Sequence, residues 1–282
     1  MADAPSGGLI VAAEALAAAL PSLLLAAQRL AASAAPGRHG RRRAGGGEQF
    51  WQYRDVRDGD PLRTIDWRRS ARGDRLYVRE REREAVETLV LDISDYPGMH
   101  WRSAQGGETK WQRAVLLGLA VASLAFEGGE RVALCGRAPP PAGQGALERL
   151  AAGLALPKTE ARPLGRFALF GDFLDEPDRI AADLASLGAG SRGGVLVQIL
   201  DPAECDFPYR GRVLFEDVAG GAPEDIARAG DIAEAYRARL AAQREAVAAV
   251  ARAARLVPLF HRTDRPPGPA LAAIRAALEP AA

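Results

Sequence analysis

Apolar residues fall into two alternating rhythms along the last two thirds of the chain. Thr88-Leu-Val-Leu-Asp-Ile-Ser94 is a short apolar run, and Lys110 to Phe126 carries apolar residues on one face at helical spacing. The same alternation repeats to the end. Strands are predicted at Arg131 to Cys135, Phe167 to Asp172, Val195 to Leu200 and Leu256 to Phe260. Helices are predicted at Gly145 to Leu154, Pro177 to Leu187, Asp231 to Ala254 and Ala270 to Leu278. Arg212 to Phe215 reads as an edge strand, being short and charged at both flanks. Strands separated by helical stretches imply a mostly parallel sheet with helices on both faces.

The first third follows other rules. Leu9 to Ala35 is rich in Ala and Leu and predicts two short amphipathic helices that meet near Pro21 and dock on the body. Its apolar run Ala15 to Ala27 has 13 residues, whereas a membrane-spanning helix needs ~20. A signal peptide wants early positive charge, but the first charged residues are Asp3 and Glu14. No membrane insertion is expected, and the location expected is cytoplasmic. Gly37 to Gly47 is a basic, glycine-rich loop, read as a solvated linker.

The densest stretch runs from Glu48 to Glu84, with ten Arg, nine acids and no Lys among Phe50, Trp51, Tyr53, Trp67 and Tyr77. Solvated tails this charged carry few aromatics. An ordered surface is expected, with guanidinium groups paired to carboxylates and lying on rings. Asp58-Gly-Asp-Pro61 marks a turn. Leu76-Tyr-Val78 begins a strand, and the β-formers beside it favour strand over helix for the alternating Arg and Glu that follow. Three segments result: a helical segment over 1–36, a signature subdomain over 37–86 and an α/β domain over 87–282.

Bulk properties narrow the function classes. A net charge of +1 argues against a generic polyanion binder, so nucleic acid is not expected as a partner. Cys135 and Cys205 are too few for a disulfide framework or a zinc site, and His39, His100 and His261 are scattered. Lysine occurs only at Lys110 and Lys158, against thirty-five Arg, which reads as coding bias beside the abundant Ala and Gly. No G-x-x-x-x-G-K-[ST] motif is present.

The run E-Q-F-W-Q-Y-R-D-V-R-D-G-D-P-L-R-T-I-D-W-R-R-S-A-R from Glu48 to Arg72 resembles the signature of a bacterial family called domain of unknown function 58. G-D-F-L-D at Gly171, D-P-A-E at Asp201 and H-R-T-D at His261 follow in that family's order, so the resemblance spans Gly37 to Leu278. It implies a three-layer von Willebrand factor A-like, Rossmann-like sheet, preceded by a small helical and β-rich region. It also implies an adaptor partnered with a MoxR-type AAA+ ATPase and a client protein, because such genes commonly lie beside one another.

Candidate chemistry sits at the carboxyl ends of the strands, where open α/β sheets bind ligands. The resemblance implies a metal-ion-dependent adhesion site there. Asp92 and Ser94 match the first members of its D-x-S-x-S motif, and Asp172 matches its distal Asp. An oxygen-only set of this kind suits Mg²⁺. Tyr96 stands where the second serine would be, and no Ser or Thr lies between Ser123 and Thr159. Asp95 is a substitute carboxylate, and His261 with Asp264 is either an oriented base or a structural imidazole. In the signature, Arg54, Asp60, Arg63, Asp66, Trp67 and Arg72 form the candidate partner surface, with a bidentate Arg63–Asp66 pair packed by Trp67 at its centre. A non-enzymatic adaptor is expected. A metal-dependent hydrolase using the same carboxylates, or a nucleic-acid binder using Arg41 to Arg43, are the alternatives.

Overall fold

The computed structural model describes residues 6–34, 49–56, 65–71, 73, 75–82, 88–137, 141–160, 164–187, 191–218 and 220–279, with backbone alone for 6–18, 49–54 and 78–82. The chain divides into two compact units, His39–Val86 and the remainder.

The smaller unit holds β1 (Gln49–Asp55), the short helix α2 (Trp67–Ser70) and β2 (Tyr77–Glu82). β1 and β2 pair antiparallel, with a register shift between Phe50 and Gln52. Of the alternating Arg and Glu residues, Arg79 to Glu82 are therefore strand, as their neighbours predict. Asp66 caps α2 by accepting from the Arg69 N–H at 3.0 Å. The Ser70 hydroxyl donates to the Asp66 carbonyl at 2.8 Å and accepts from the Tyr77 N–H at 2.9 Å, tying α2 to β2.

The larger unit opens with α1 (Ser6–Ala34). The two helices expected here are one, running through Pro21. Leu20, Leu23, Ala27 and Ala31 recur at helical spacing and are all buried, and that packing carries the helix through the proline. At its end Arg275 donates to the Ala34 carbonyl at 2.9 Å.

Next come β3 (Thr88–Ile93), α3 (Pro97–His100), α4 (Lys110–Glu127), β4 (Arg131–Leu134), α5 (Ala146–Gly153), β5 (Gly165–Gly171), α6 (Pro177–Ala185) and β6 (Ser191–Leu200). After them lie α7 (Pro202–Asp206), β7 (Val213–Phe215), β8 (Glu224–Ile226), α8 (Ala233–Ala253), β9 (Leu256–Arg262) and α9 (Pro267–Leu278). Five strands form one parallel sheet in the order β4-β3-β5-β6-β9. Leu89, Leu91, Ile93, Ala168 and Phe170 pack into one core with α1, α4, α5 and α9. Val90, Phe167, Leu169 and Leu196 pack into a second core with α6 and α8. This is the parallel sheet with helices on both faces that the alternation implies, in a three-layer, Rossmann-like arrangement. At Gly194, φ is +144° and a Cβ would collide with the Phe167 carbonyl, so the bulged pairing of β6 with β5 requires glycine.

A second expectation fails. The Arg212 to Phe215 segment is not at the edge of the main sheet; β7 pairs with β8 in a separate antiparallel hairpin. Phe207 and Tyr209 pack on Phe215, and Phe207 on Tyr236, so the segment meets a local aromatic cluster while β9 takes the sheet edge.

Candidate functional site at the carboxyl edge of the sheet

The chain order of the strands reverses at β3, whose neighbours are β4 and β5, and a crevice forms outside the carboxyl ends of β3 and β5. Asp92 and Ser94 come from the end of β3, and Asp172 follows β5 directly. Successive residues of a strand point to opposite faces. Asp92 shares a parity with Val90, which packs in the α6/α8 core. Asp172 shares one with Ala168 and Phe170, which pack in the α4 core. Their partners follow the same division.

On the α4 side, Asp172 is 2% exposed and accepts from the Lys110 ammonium at 2.9 Å. Lys110 is 1% exposed and also contacts Glu204, while the Tyr96 hydroxyl donates to Asp172. Local structure aims these groups. Lys110 opens α4, whose first turn is fixed by the reciprocal Thr109–Gln112 capping box. Glu204 belongs to the capping box of α7, accepting from the Asp201 N–H at 2.8 Å. Burial pulls the Lys110 pKa down, but the Glu204 and Asp172 charges more than offset it, and the net direction is upward. Burial raises the Glu204 pKa against the pull of Lys110. Burial, then the Asp172 charge, also raise the Tyr96 hydroxyl, so it stays protonated.

On the other side, Asp92 accepts from the Lys158 ammonium at 2.6 Å, with the lysine side chain 41% exposed. The pair lines an open cleft of about 600 Å³ together with Ser94, Cys135 and Phe173. Ser94 fits because residue 171 is glycine: a Cβ there would lie 2.7 Å from the Ser94 hydroxyl.

Asp92, Ser94 and Asp172 as arranged do not fit one shared divalent cation. Each carboxylate already holds an ammonium, one from the start of α4 and one from the loop before β5. Among the described residues no group of three or more His, Cys, Asp or Glu side chains could hold a metal ion. Asp95 instead bonds His100 at 2.7 Å, and that hydrogen bond lowers its pKa. The His100 ring also stacks on Trp111.

His261 is not oriented by Asp264, which pairs with Arg262 at 3.0 Å. Its Nε2 faces the Arg113 guanidinium at 2.6 Å and accepts from it, and Arg113 also donates to Glu108 and to the Thr263 carbonyl. Burial, then the Arg113 charge, lower the His261 pKa to about 4. The ring is a neutral structural acceptor that ties β9 to α4.

Of the signature candidates, Arg54 lies in β1, and Asp66 is the helix cap described above. Trp67 is 57% exposed. Asp60, Arg63 and Arg72, and with them the Arg63–Asp66 pair, lie outside the described residues, as do Arg41 to Arg43. Sequence reasoning missed Lys110, Lys158 and Glu204. The signal was present, because both lysines of an arginine-rich chain are at this edge.

No curated protein and no solved structure matches the chain. The family model described as "Protein of unknown function DUF58" matches residues 52–246. That span runs from β1 of the signature unit, through the sheet edge with both lysine pairs, into α8, and covers well over half of the sequence. On this match the chain belongs to the DUF58 family.

Proposed function

We propose that this chain is a non-enzymatic, cytoplasmic protein-interaction adaptor, working with a MoxR-type AAA+ ATPase on a client protein, with the carboxyl edge of its sheet as one docking face. The observation that carries this reading is the state of the edge carboxylates. Asp92 and Asp172, which a hydrolase would need as metal ligands, are each engaged by an ammonium. His100 and His261, the histidines in the described part of the chain, are held by structural partners. Trp67 supports the same reading from the signature unit, since exposed Trp is a frequent anchor of protein contacts. Among the described residues no helix is long and apolar enough to cross a membrane, and Cys135 and Cys205 are thiols.

The test is a binding assay between the purified chain and a MoxR-type ATPase from the same genome, with and without ATP. A complex that weakens in Trp67→Ala and in the charge-reversed Lys158→Glu is expected. Absence of any complex, or hydrolysis of phosphoester substrates that disappears in Asp172→Ala, would sink the adaptor reading.

A further inference from the structure

We infer that the carboxyl edge of this chain is charged by its own two lysines in place of a divalent cation, and is therefore indifferent to Mg²⁺. The sequence motif leads to an expected metal, and the side-chain geometry departs from it. Lys110 reaches Asp172 at 2.9 Å and contacts Glu204, joining the start of α4 to the end of β5 and to α7. Lys158 reaches Asp92 at 2.6 Å, joining the loop before β5 to the end of β3. Lys110, by linking Asp172 to Glu204 of α7, does what a bound cation does in an oxygen-lined site.

Composition bears on the same point. Arginine outnumbers lysine thirty-five to two, and both lysines stand on carboxylates of this edge. A general preference for arginine explains the thirty-five but not the placement of the two. At Lys110, which meets both Asp172 and Glu204, chemistry explains the placement. An ammonium is a compact point charge with three rotatable donors, and it fits between two carboxylates of different elements. A guanidinium is a planar fork with a fixed geometry, matched to one carboxylate at a time.

A divalent ion would have to displace both ammonium groups. At Lys110, which is 1% exposed, that leaves a buried cation without its counter-charge, a strongly unfavourable state. The two carboxylates are also held separately: Asp172 by the lysine that opens α4 and Asp92 by the lysine of the loop before β5. This inference stands apart from the identity of any partner, because it concerns the isolated chain.

The experiment uses the full chain, stripped with EDTA, and reads two signals. One is calorimetric titration with Mg²⁺ and with Mn²⁺. The other is acetylation of the lysines by an N-hydroxysuccinimide ester, followed by mass spectrometry in EDTA, in Mg²⁺ and in urea. The expected result is no saturable heat, and labelling rates that are the same in EDTA and Mg²⁺. Lys110 should stay protected until urea unfolds the chain, and Lys158 should label about two- to five-fold faster in Asp92→Asn. The inference is overturned by a saturable isotherm that Asp92→Ala abolishes, by Mg²⁺-dependent labelling of either lysine, or by native labelling of Lys110 at the urea rate. The comparison of EDTA with Mg²⁺ uses the wild-type chain, so it decides the matter even where a variant fails to fold.

Discussion

The two lysine–aspartate pairs at the sheet edge have the same chemistry and different surroundings. Lys110 and Asp172 are almost wholly buried and share the site with Glu204 and Tyr96. Lys158 and Asp92 are 41% and 31% exposed and border an open cleft. In the buried pair, water is absent and each ion depends on its partner. In the exposed pair, water competes with the partner and screens the attraction. One pair therefore holds the fold together, and the other can exchange its partner at little cost. The docking face proposed for this chain belongs to the second kind.

The largest effect should come from breaking the buried pair. Lys110→Met should lose about 3–5 kcal/mol of stability, measured by urea unfolding, because it leaves Asp172 and Glu204 buried without a cation. Adding Asp172→Asn to Lys110→Met should recover part of the loss. A loss below about 1 kcal/mol would put this pair in the same class as Lys158–Asp92.

His261 extends the buried region to β9 and predicts a pH dependence. Its pKa is lowered from 6.5 to about 4, so between these values the unfolded chain binds the proton and the native chain does not. Stability should fall as pH drops through that window, by about 3 kcal/mol at ~1.4 kcal/mol per pH unit. Comparing unfolding curves of wild type and His261→Gln isolates this contribution, and the variant should lose that part of the slope. Equal slopes would show that the ring titrates normally.

Thr109→Ala removes one arm of the capping box that aims Lys110 and should lose about 1 kcal/mol. The smallest effect belongs to the exposed pair. Lys158→Ala should change stability by less than about 1 kcal/mol, and 0.5 M salt should erase most of the difference. A loss as large as that of Lys110→Met would abolish the contrast between the two pairs.

Much of the larger unit was legible in sequence. The β3, β5, β6 and β9 runs and the α4, α6, α8 and α9 patterns are long enough for periodicity to identify them. The errors lie where local pattern and packing disagree. Pro21 is a helix breaker by local chemistry, yet the buried stripe from Leu20 to Ala31 holds α1 together across it. The Val213–Phe215 run is a strand by local chemistry, but its partner is Glu224–Ile226, because the aromatic cluster around Phe207 holds it away from the sheet.

The edge divides in the same way. The sequence by itself determined that Asp92, Ser94 and Asp172 stand at strand ends, because strand position follows from apolar runs and motif spacing. It also contained the count of two lysines, without the reason for them. Only the tertiary structure decided that Lys110, 62 positions before Asp172, and Lys158, 66 positions after Asp92, meet those carboxylates. Such pairings depend on helix placement and loop path, which no local periodicity encodes. That the two aspartates meet different lysines depends in turn on which elements pack beside each strand end. A short oxygen-rich motif is consistent with a metal ion, and only the long-range contacts show that an ammonium group stands on each of its carboxylates.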